Sequence, residues 1–373
     1  MTSYASAATR LRDVVHSATR GLVDREQLAE LMVLASVADE HLLVVGPPGT
    51  AKSAVVRRVA NALGGRYFEY LLGRFTEPSE LFGPVDLRKL RDGRVEADVT
   101  GMLPEADIAF LDEVFLGSTA ILNSLLGVLN ERRFRRGHTD IQCPLRVCVG
   151  AANALPEDES LAAFADRFLL RLFVEPVPDN RLEELLAGGW SQESLGAGST
   201  AEMSDLDLLR AQVVHVRMDE ARVALADALR KLRGAGVLLS DRRIVKTQRL
   251  VAAATVLAGR QTATDADLWP LLYVLPSREA QLSAQEVLRD SLRMATNPTL
   301  RSAVEQVVLQ PVSRVERLVQ AARSCLDDTD GVAARTIAEA LLREIDANFT
   351  VPALSPELAV ERARLVVRVS EPA

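Results

Sequence analysis

The chain has 373 residues, 48% of them hydrophobic and 25% charged, with 44 Lys and Arg against 51 Asp and Glu for a formal net charge of −7. That composition excludes a disordered chain and predicts two or three folded domains, and the acidic balance leaves no overall basic footprint for generic nucleic-acid binding. Cys143, Cys148 and Cys325 share no C-x-x-C spacing, and His16, His41, His138 and His215 form no cluster, which argues against a disulfide scaffold and a structural zinc site.

Taken in chain order, the segment Met1 to Arg12 lacks an apolar signal core, and no run approaches the ~20 apolar residues that span a bilayer. A cytoplasmic protein is the expectation. Residues from about Ala7 to Ala38 carry helical periodicity, with Leu22, Val23, Leu28, Leu31, Met32, Leu34 and Ala35 apolar among charged neighbours. Three short apolar runs then read as strands, Leu42–Val45, Ile108–Leu111 and Leu145–Ala151, separated by helical segments. Alternation of this kind predicts an α/β fold with a parallel sheet covered on both faces. Between the second and third strands, Ser118 or Thr119 can cap a helix whose Ile121, Leu122, Leu125, Leu126 and Leu129 form one stripe ending near Glu131-Arg132.

After Pro176 and Pro178 the chain reads as helical to about residue 275, with a flexible stretch expected over Gly188 to Ser204, where Gly, Ser and Thr accumulate without periodicity. Further helices are expected at Leu282–Met294, Thr299–Leu326, Val332–Ile345 and Glu357–Val369, with Pro311 breaking or kinking the longest. The domain organisation that follows is an α/β core over 1–180, an α-helical region over 181–278, and a helical C-terminal region over 279–373.

The chemistry is concentrated in the first of these. Gly46-Pro47-Pro48-Gly49-Thr50-Ala51-Lys52-Ser53 follows the first strand and precedes a helical pattern. Backbone N–H groups and a helix N-terminus there can face a polyphosphate, with Lys52 supplying a point charge near its β and γ groups and Ser53 a hydroxyl to Mg²⁺, or the segment is a Gly/Pro turn opening a surface helix. Ala51 stands where glycine is expected, so its φ is expected to be negative. At the end of the second strand Asp112 can hold Mg²⁺ and Glu113 can orient and deprotonate an attacking water. Asn153, closing the third strand, can reach a γ-phosphate or the lytic water, or is simply a turn residue. Phe164-Ala165-Asp166-Arg167-Phe168 presents one arginine among apolar groups. It can neutralise transition-state charge across a subunit boundary or form a surface ion pair.

In this order and at this spacing, these motifs resemble an AAA+ ATPase of the MoxR family. The stretches Thr76-Glu77-Pro78-Ser79-Glu80-Leu81-Phe82-Gly83-Pro84, Gly101-Met102-Leu103-Pro104-Glu105-Ala106, Ile121-Leu122-Asn123 and Leu129-Asn130-Glu131-Arg132-Arg133-Phe134 are similar to the RavA branch in particular. The likeness is strong over about residues 10–180, weaker through Ser240-Asp241-Arg242-Arg243, and fades beyond about 280.

The resemblance implies a ring, usually a hexamer, with ATP and Mg²⁺ between subunits. Gly46–Ser53 becomes Walker A, Asp112 and Glu113 Walker B, Asn153 sensor 1 and Arg167 the arginine finger. Arg242 or Arg243 becomes sensor 2, and Leu22-Val23 the adenine contact. Gly83 to Pro104, with Arg88, Lys89, Arg91 and Arg94, corresponds to the helix-2 insert, and Phe134 to Pro144 to a hairpin. Both would face the ring pore, where their basic residues, with Arg132, Arg133, Arg135 and Arg136, grip a partner or are merely solvated. The implied activity is chaperone-like remodelling of a protein carrying a von Willebrand factor A domain. The residues alone also admit a regulatory nucleotide-binding scaffold, and a nucleic-acid motor is disfavoured by an aromatic content of 4%.

Overall fold

The computed structural model describes residues 3–191, 201–308, 314–327, 337–339, 341–343, 345–346 and 356–370, and the chain divides into two compact units, Met1–Val308 and Leu309–Ala373. In the first unit, strands β1 (Leu42–Val45), β2 (Tyr67–Leu71), β3 (Ile108–Asp112), β6 (Val147–Ala152) and β7 (Leu170–Phe173) form one sheet in the order β2-β3-β6-β1-β7. Every neighbouring pair is parallel. Strands β4 (Arg133–Arg136) and β5 (Thr139–Gln142) make a separate antiparallel hairpin.

Both faces of the central strands are buried, which is why they read as continuous apolar runs. Side chains alternate between two cores. Leu42, Val44, Phe110 and Val149 enter one, shared with α1 (Ser3–Thr19), α2 (Glu26–Ala38) and α3 (Lys52–Leu63). Leu43, Val45, Leu111 and Cys148 enter the other, shared with α6 (Thr119–Glu131) and α7 (Glu159–Ala165). The α6 cap is Ser118, whose hydroxyl accepts from the Ile121 N–H, and its stripe of Ile121, Leu122, Leu125 and Leu129 is buried. The short helices α4 (Pro78–Phe82) and α5 (Leu87–Arg91) lie between β2 and β3.

The structure corrects several expectations. The single helical span to Ala38 is two helices, because Gly21 at φ +75° and Asp24 at φ +55° turn the chain between α1 and α2. Strands β2 and β7 escape an apolar-run criterion because Tyr67–Leu71 is half-buried at the sheet edge and β7 carries Arg171. Gly188 and Gly189, expected to be flexible, lie inside α8 (Leu182–Ser191), while Met203 and Ser204 open α9 (Met203–Val213). Residues 192–200 of that stretch lie outside the described residues.

The helical part continues with α10 (Asp219–Gly234), α11 (Asp241–Leu257), α12 (Leu271–Val274), α13 (Arg278–Val287), α14 (Arg289–Leu292) and α15 (Arg301–Val308). Asn297 forms the turn before α15, its Oδ1 accepting from the N–H groups of Thr299 and Leu300. In the second unit α16 (Arg314–Asp327) packs on a last helix, Pro356–Ser370, through Leu318, Ala322 and Cys325 against Leu358 and Leu365. Pro311 and most of the expected helix Val332–Ile345 lie outside the described residues. Among the described residues no helix is long and apolar enough to cross a membrane.

Gly150 lies at the centre of β6, and a Cβ built on it would stand 2.9 Å from the ring of Phe168. Gly150→Ala is therefore expected to cost about 1–3 kcal/mol in urea unfolding. Adding Phe168→Leu should return part of that cost, whereas strictly additive losses would contradict a direct contact.

Candidate functional site

Because β1, β3 and β6 run parallel, their carboxyl ends share one edge of the sheet, the edge at which ligands sit in open α/β folds. From that edge leave the loop Gly46–Ala51, the pair Asp112–Glu113 and Asn153. The loop is tightly built. Gly46 donates its N–H to the carbonyl of Ala152 (3.0 Å), and a Cβ on it would fall 2.3 Å from the Val174 carbonyl oxygen, so only glycine fits. Gly49 turns at φ +79° with open space where a side chain would be. The Thr50 hydroxyl donates to the Pro47 carbonyl (3.0 Å). The Lys52 ammonium, buried, donates to the carbonyls of Gly46 (2.8 Å) and Pro47 (2.9 Å). Burial lowers its pKa, against the opposing pull of the Asp112 and Glu113 carboxylates.

The expectation for Ala51 is overturned. It sits at φ +60°, ψ +23°, left-handed, and α3 opens after it without a side-chain cap. The left-handed turn aims the first N–H groups of α3 at a point outside the loop, an arrangement suited to an anion. Glu113 is left-handed too, at φ +49°, with its N–H donated to Asp112 Oδ1 (3.0 Å). The Asn153 side-chain amide donates to Glu113 Oε1. Thus the three strand-end residues named from sequence meet at one place. The donor set of Ser53, Asp112 and Lys52 beside a glycine-lined loop fits a nucleotide phosphate with Mg²⁺, a cation held by one or two carboxylates together with substrate phosphates.

Sequence reasoning missed Arg25. It is buried at the start of α2, and its guanidinium donates to the carbonyls of Thr50 (2.7 Å), Asp24 (2.7 Å) and Glu175 (3.1 Å). An arginine two residues after the apolar pair Leu22-Val23 and directly ahead of a buried helix is the available signal. Leu22 and Val23, on the same turn, are buried.

Three arginines lie elsewhere. Arg167 precedes β7, whose first residue Leu170 pairs with Leu42, the first of β1, so it lies near the edge opposite the phosphate loop. Four residues of strand separate the two edges, roughly 13 Å. Arg167 lines a cleft of about 400 Å³ between α6 and α7 with Phe115, Asn123, Leu126, Leu161 and Phe164, and its buried Nε has no hydrogen-bond partner among the described residues. Arg243 lies at the same opposite edge, buried and committed to the chain's own groups. It donates to Val274 O (2.9 Å from Nε), Asp166 Oδ1 (2.8 Å) and Leu169 O (2.6 Å), and burial lowers its pKa while Asp166 raises it. Arg242 is half-buried and donates to Asn130 Oδ1 (2.7 Å) on α6. None of the three is brought to the phosphate loop of its own chain.

The two basic segments are joined to each other. Ala97 donates to Thr139 Oγ1 (2.8 Å), His138 donates its N–H to Val95 O (2.8 Å), and Phe82 stacks on Phe134 at 5.0 Å. Arg132 is set apart from the exposed basic group. Left-handed at φ +53°, it turns inward to the Asp39 carbonyl (3.1 Å). Arg133 pairs with Asp140 across the hairpin, Arg135 with Glu131 at the end of α6, and Arg136 donates to Gly83 O (3.5 Å).

Residues 9–212 match the family model of the MoxR domain in MoxR–vWA–β-propeller ternary systems, and residues 220–287 match that of an AAA lid domain. Two uncharacterized proteins of Methanocaldococcus jannaschii are 34% identical to this chain over 254 and 253 residues, 68% of it in each case and 67% and 66% of theirs. The chain thus matches about two thirds of the length of these relatives. The chaperone MoxR1 of Mycobacterium tuberculosis is 27% identical over 209 residues, 55% of this chain and 54% of its own. A crystal structure from Cytophaga hutchinsonii, described as a candidate ATPase, aligns at a TM-score of 0.63 over 79% of this chain and 96% of that one with 16% identity. At that identity it speaks for the fold alone.

The left-handed alanine yields a stability prediction. Relieving its strain is worth about 1–2 kcal/mol, less the roughly 0.4–1 kcal/mol that glycine adds to unfolded-chain entropy. Ala51→Gly is accordingly expected to raise the unfolding free energy in urea by up to about 1.5 kcal/mol. A clear loss of stability would show that the turn is not strained.

Proposed function

Since the chain belongs to the MoxR family of AAA+ proteins, we propose that it binds ATP with Mg²⁺, hydrolyses it, and uses the cycle to remodel a partner protein. One observation carries the hydrolytic part: the Asn153 amide bonded to Glu113 beside Asp112 at the carboxyl edge, next to the loop of Lys52. A scaffold that only held nucleotide would have no use for an oriented Glu113. In this reading Gly46–Ser53 cradles the phosphates, Ser53 and Asp112 hold Mg²⁺, which neutralises phosphate charge, and Glu113 orients the attacking water and takes its proton. Asn153 fixes the carboxylate, and Leu22-Val23 borders the base.

The acting form is a ring, a hexamer of the RavA-like branch, with 1–180 as core, 181–278 as lid and 279–373 as C-terminal region. The lid match over 220–287 supports the second of these. The description of the matching domain, from systems that pair MoxR with vWA proteins, supports a von Willebrand factor A partner, and the chaperone relative supports remodelling. In a ring, Arg167 and Arg242 serve the neighbour's nucleotide. Asn123, Leu126 and Asn130, which they meet, share one face of α6. Arg242 is preferred to Arg243 as sensor 2, because the latter has its donors spent inside the chain.

Purified protein is expected to turn over ATP only with Mg²⁺. Glu113→Gln should still bind ATP while hydrolysing it about 10²–10⁴-fold more slowly, and Lys52→Ala should lose nucleotide binding. Turnover by Glu113→Gln equal to wild type would remove Glu113 from the chemistry.

The shared site is tested by mixing two inactive variants, Lys52→Ala and Arg167→Ala. Mixed rings contain some interfaces at which both residues are intact, so part of the activity should return. No recovery in demonstrably mixed rings would leave Arg167 with an in-chain or purely structural role.

A further inference from the structure

The strained turn of the phosphate loop is held from outside, by a side chain from a distant part of the sequence. Arg25 is 5% exposed, and each nitrogen of its guanidinium meets a main-chain carbonyl: Nε that of Thr50 at 2.7 Å, Nη1 that of Asp24 at 2.7 Å, Nη2 that of Glu175 at 3.1 Å. Thr50 immediately precedes Ala51, and the carbonyl that Arg25 grips belongs to the peptide whose rotation sets Ala51's φ of +60°. A left-handed alanine is disfavoured by about five- to thirtyfold against a right-handed one. Something must therefore hold the peptide, and no side chain caps α3 from within the loop. Within the loop the Thr50 hydroxyl bonds to Pro47 O at 3.0 Å and the Lys52 ammonium to the Gly46 and Pro47 carbonyls, but neither touches the Thr50 carbonyl.

We propose that Arg25 is a positioning residue for nucleotide: its grip on the Thr50 carbonyl keeps Ala51 left-handed and the N–H groups of Lys52 and Ser53 turned toward the phosphates. This rests on the reading of Gly46–Ser53 as a nucleotide site. The competing account is that a buried arginine joining three loops stabilises the fold and has no particular tie to Ala51.

The two accounts differ in their kinetics and in their response to Ala51. Without Arg25 the loop visits right-handed conformations, and apparent affinity falls by the fraction of time it is competent, while the bound complex reacts as before. A general loss of folded protein instead lowers kcat and leaves KM alone.

The test measures binding of a fluorescent N-methylanthraniloyl ATP with Mg²⁺, together with steady-state ATP turnover, in wild type, Arg25→Gln, Ala51→Gly and the double variant. Arg25→Gln is expected to weaken binding and raise KM by about five- to thirtyfold, with kcat at saturating ATP held within about twofold. In the Ala51→Gly background the same substitution should cost at least about fivefold less, because glycine adopts the left-handed turn unaided. An equal loss in both backgrounds, or a fall in kcat at constant KM, overturns the proposal. Arg25→Lys, which keeps the charge and one donor, should lie between wild type and Arg25→Gln, and it carries the same cycle if melting curves show Arg25→Gln unfolded. Failure of wild type itself to bind the analogue would instead overturn the nucleotide reading on which the proposal stands.

Discussion

The pairing of β1 on both sides sets the position of everything at the carboxyl edge. Leu42–Val45 is only four residues long, yet it lies between β6 and β7 with every residue buried. Its exit is clamped twice: the Gly46 N–H bonds to Ala152, and the Val174 N–H bonds to Val45 O at 2.8 Å. The second clamp brings the Val174 carbonyl so close to Gly46 that any side chain there would collide with it. With its departure point fixed in this way, the loop cannot slide along the sheet, and the parallel register places Asp112 and Asn153 beside it from β3 and β6.

Against that rigid frame the chain concentrates its backbone strain. Among the described residues, those with positive φ other than glycine are Asp24, Asp39, Ala51, Glu113 and Arg132. Ala51 and Glu113 are in the candidate site, and Asp24 adjoins Arg25, which holds the loop. Strain of this kind persists only where surroundings over-determine it. Here the surroundings are identifiable: Arg25 on the Thr50 carbonyl for Ala51, and the Asp112 and Asn153 side chains for Glu113. The gain is orientation, since a left-handed residue redirects the chain within one step and presents N–H groups or a carboxylate outward from the sheet edge.

What the sequence makes legible follows from how local each signal is. The phosphate loop, the paired acids and the α6 stripe with its Ser118 cap depend on neighbours a few residues apart, and all stand where the pattern put them. The parallel α/β core follows from three apolar strands. Strands β2 and β7 were hidden because Glu69 and Arg171 interrupt them, and a strand's burial depends on partners that local sequence does not name. The conformation of Ala51 was misjudged for a similar reason: intrinsic preference argues for negative φ, and a tertiary contact from Arg25 opposes it. Arg132 read as part of a basic run. Its inward turn to Asp39 is set by the left-handed end of α6, a feature of the fold rather than of charge pattern.

The lid fastens to the sheet at the edge opposite the phosphate loop, and this limits how the two can communicate. Arg243 binds Asp166 and Leu169 just ahead of β7, and Lys246 donates to Glu40 at 2.6 Å just ahead of β1. Asp39 accepts Arg210 at 2.8 Å beside Arg132. These contacts are not free to open: Arg243 without Asp166 would be a buried, uncompensated guanidinium. Within one chain, a displacement at the loop has two routes to α11: β1, a short strand buried on both faces in a densely packed sheet that deforms little, and α2, which starts at the Arg25 that grips the Thr50 carbonyl and packs along α11 itself.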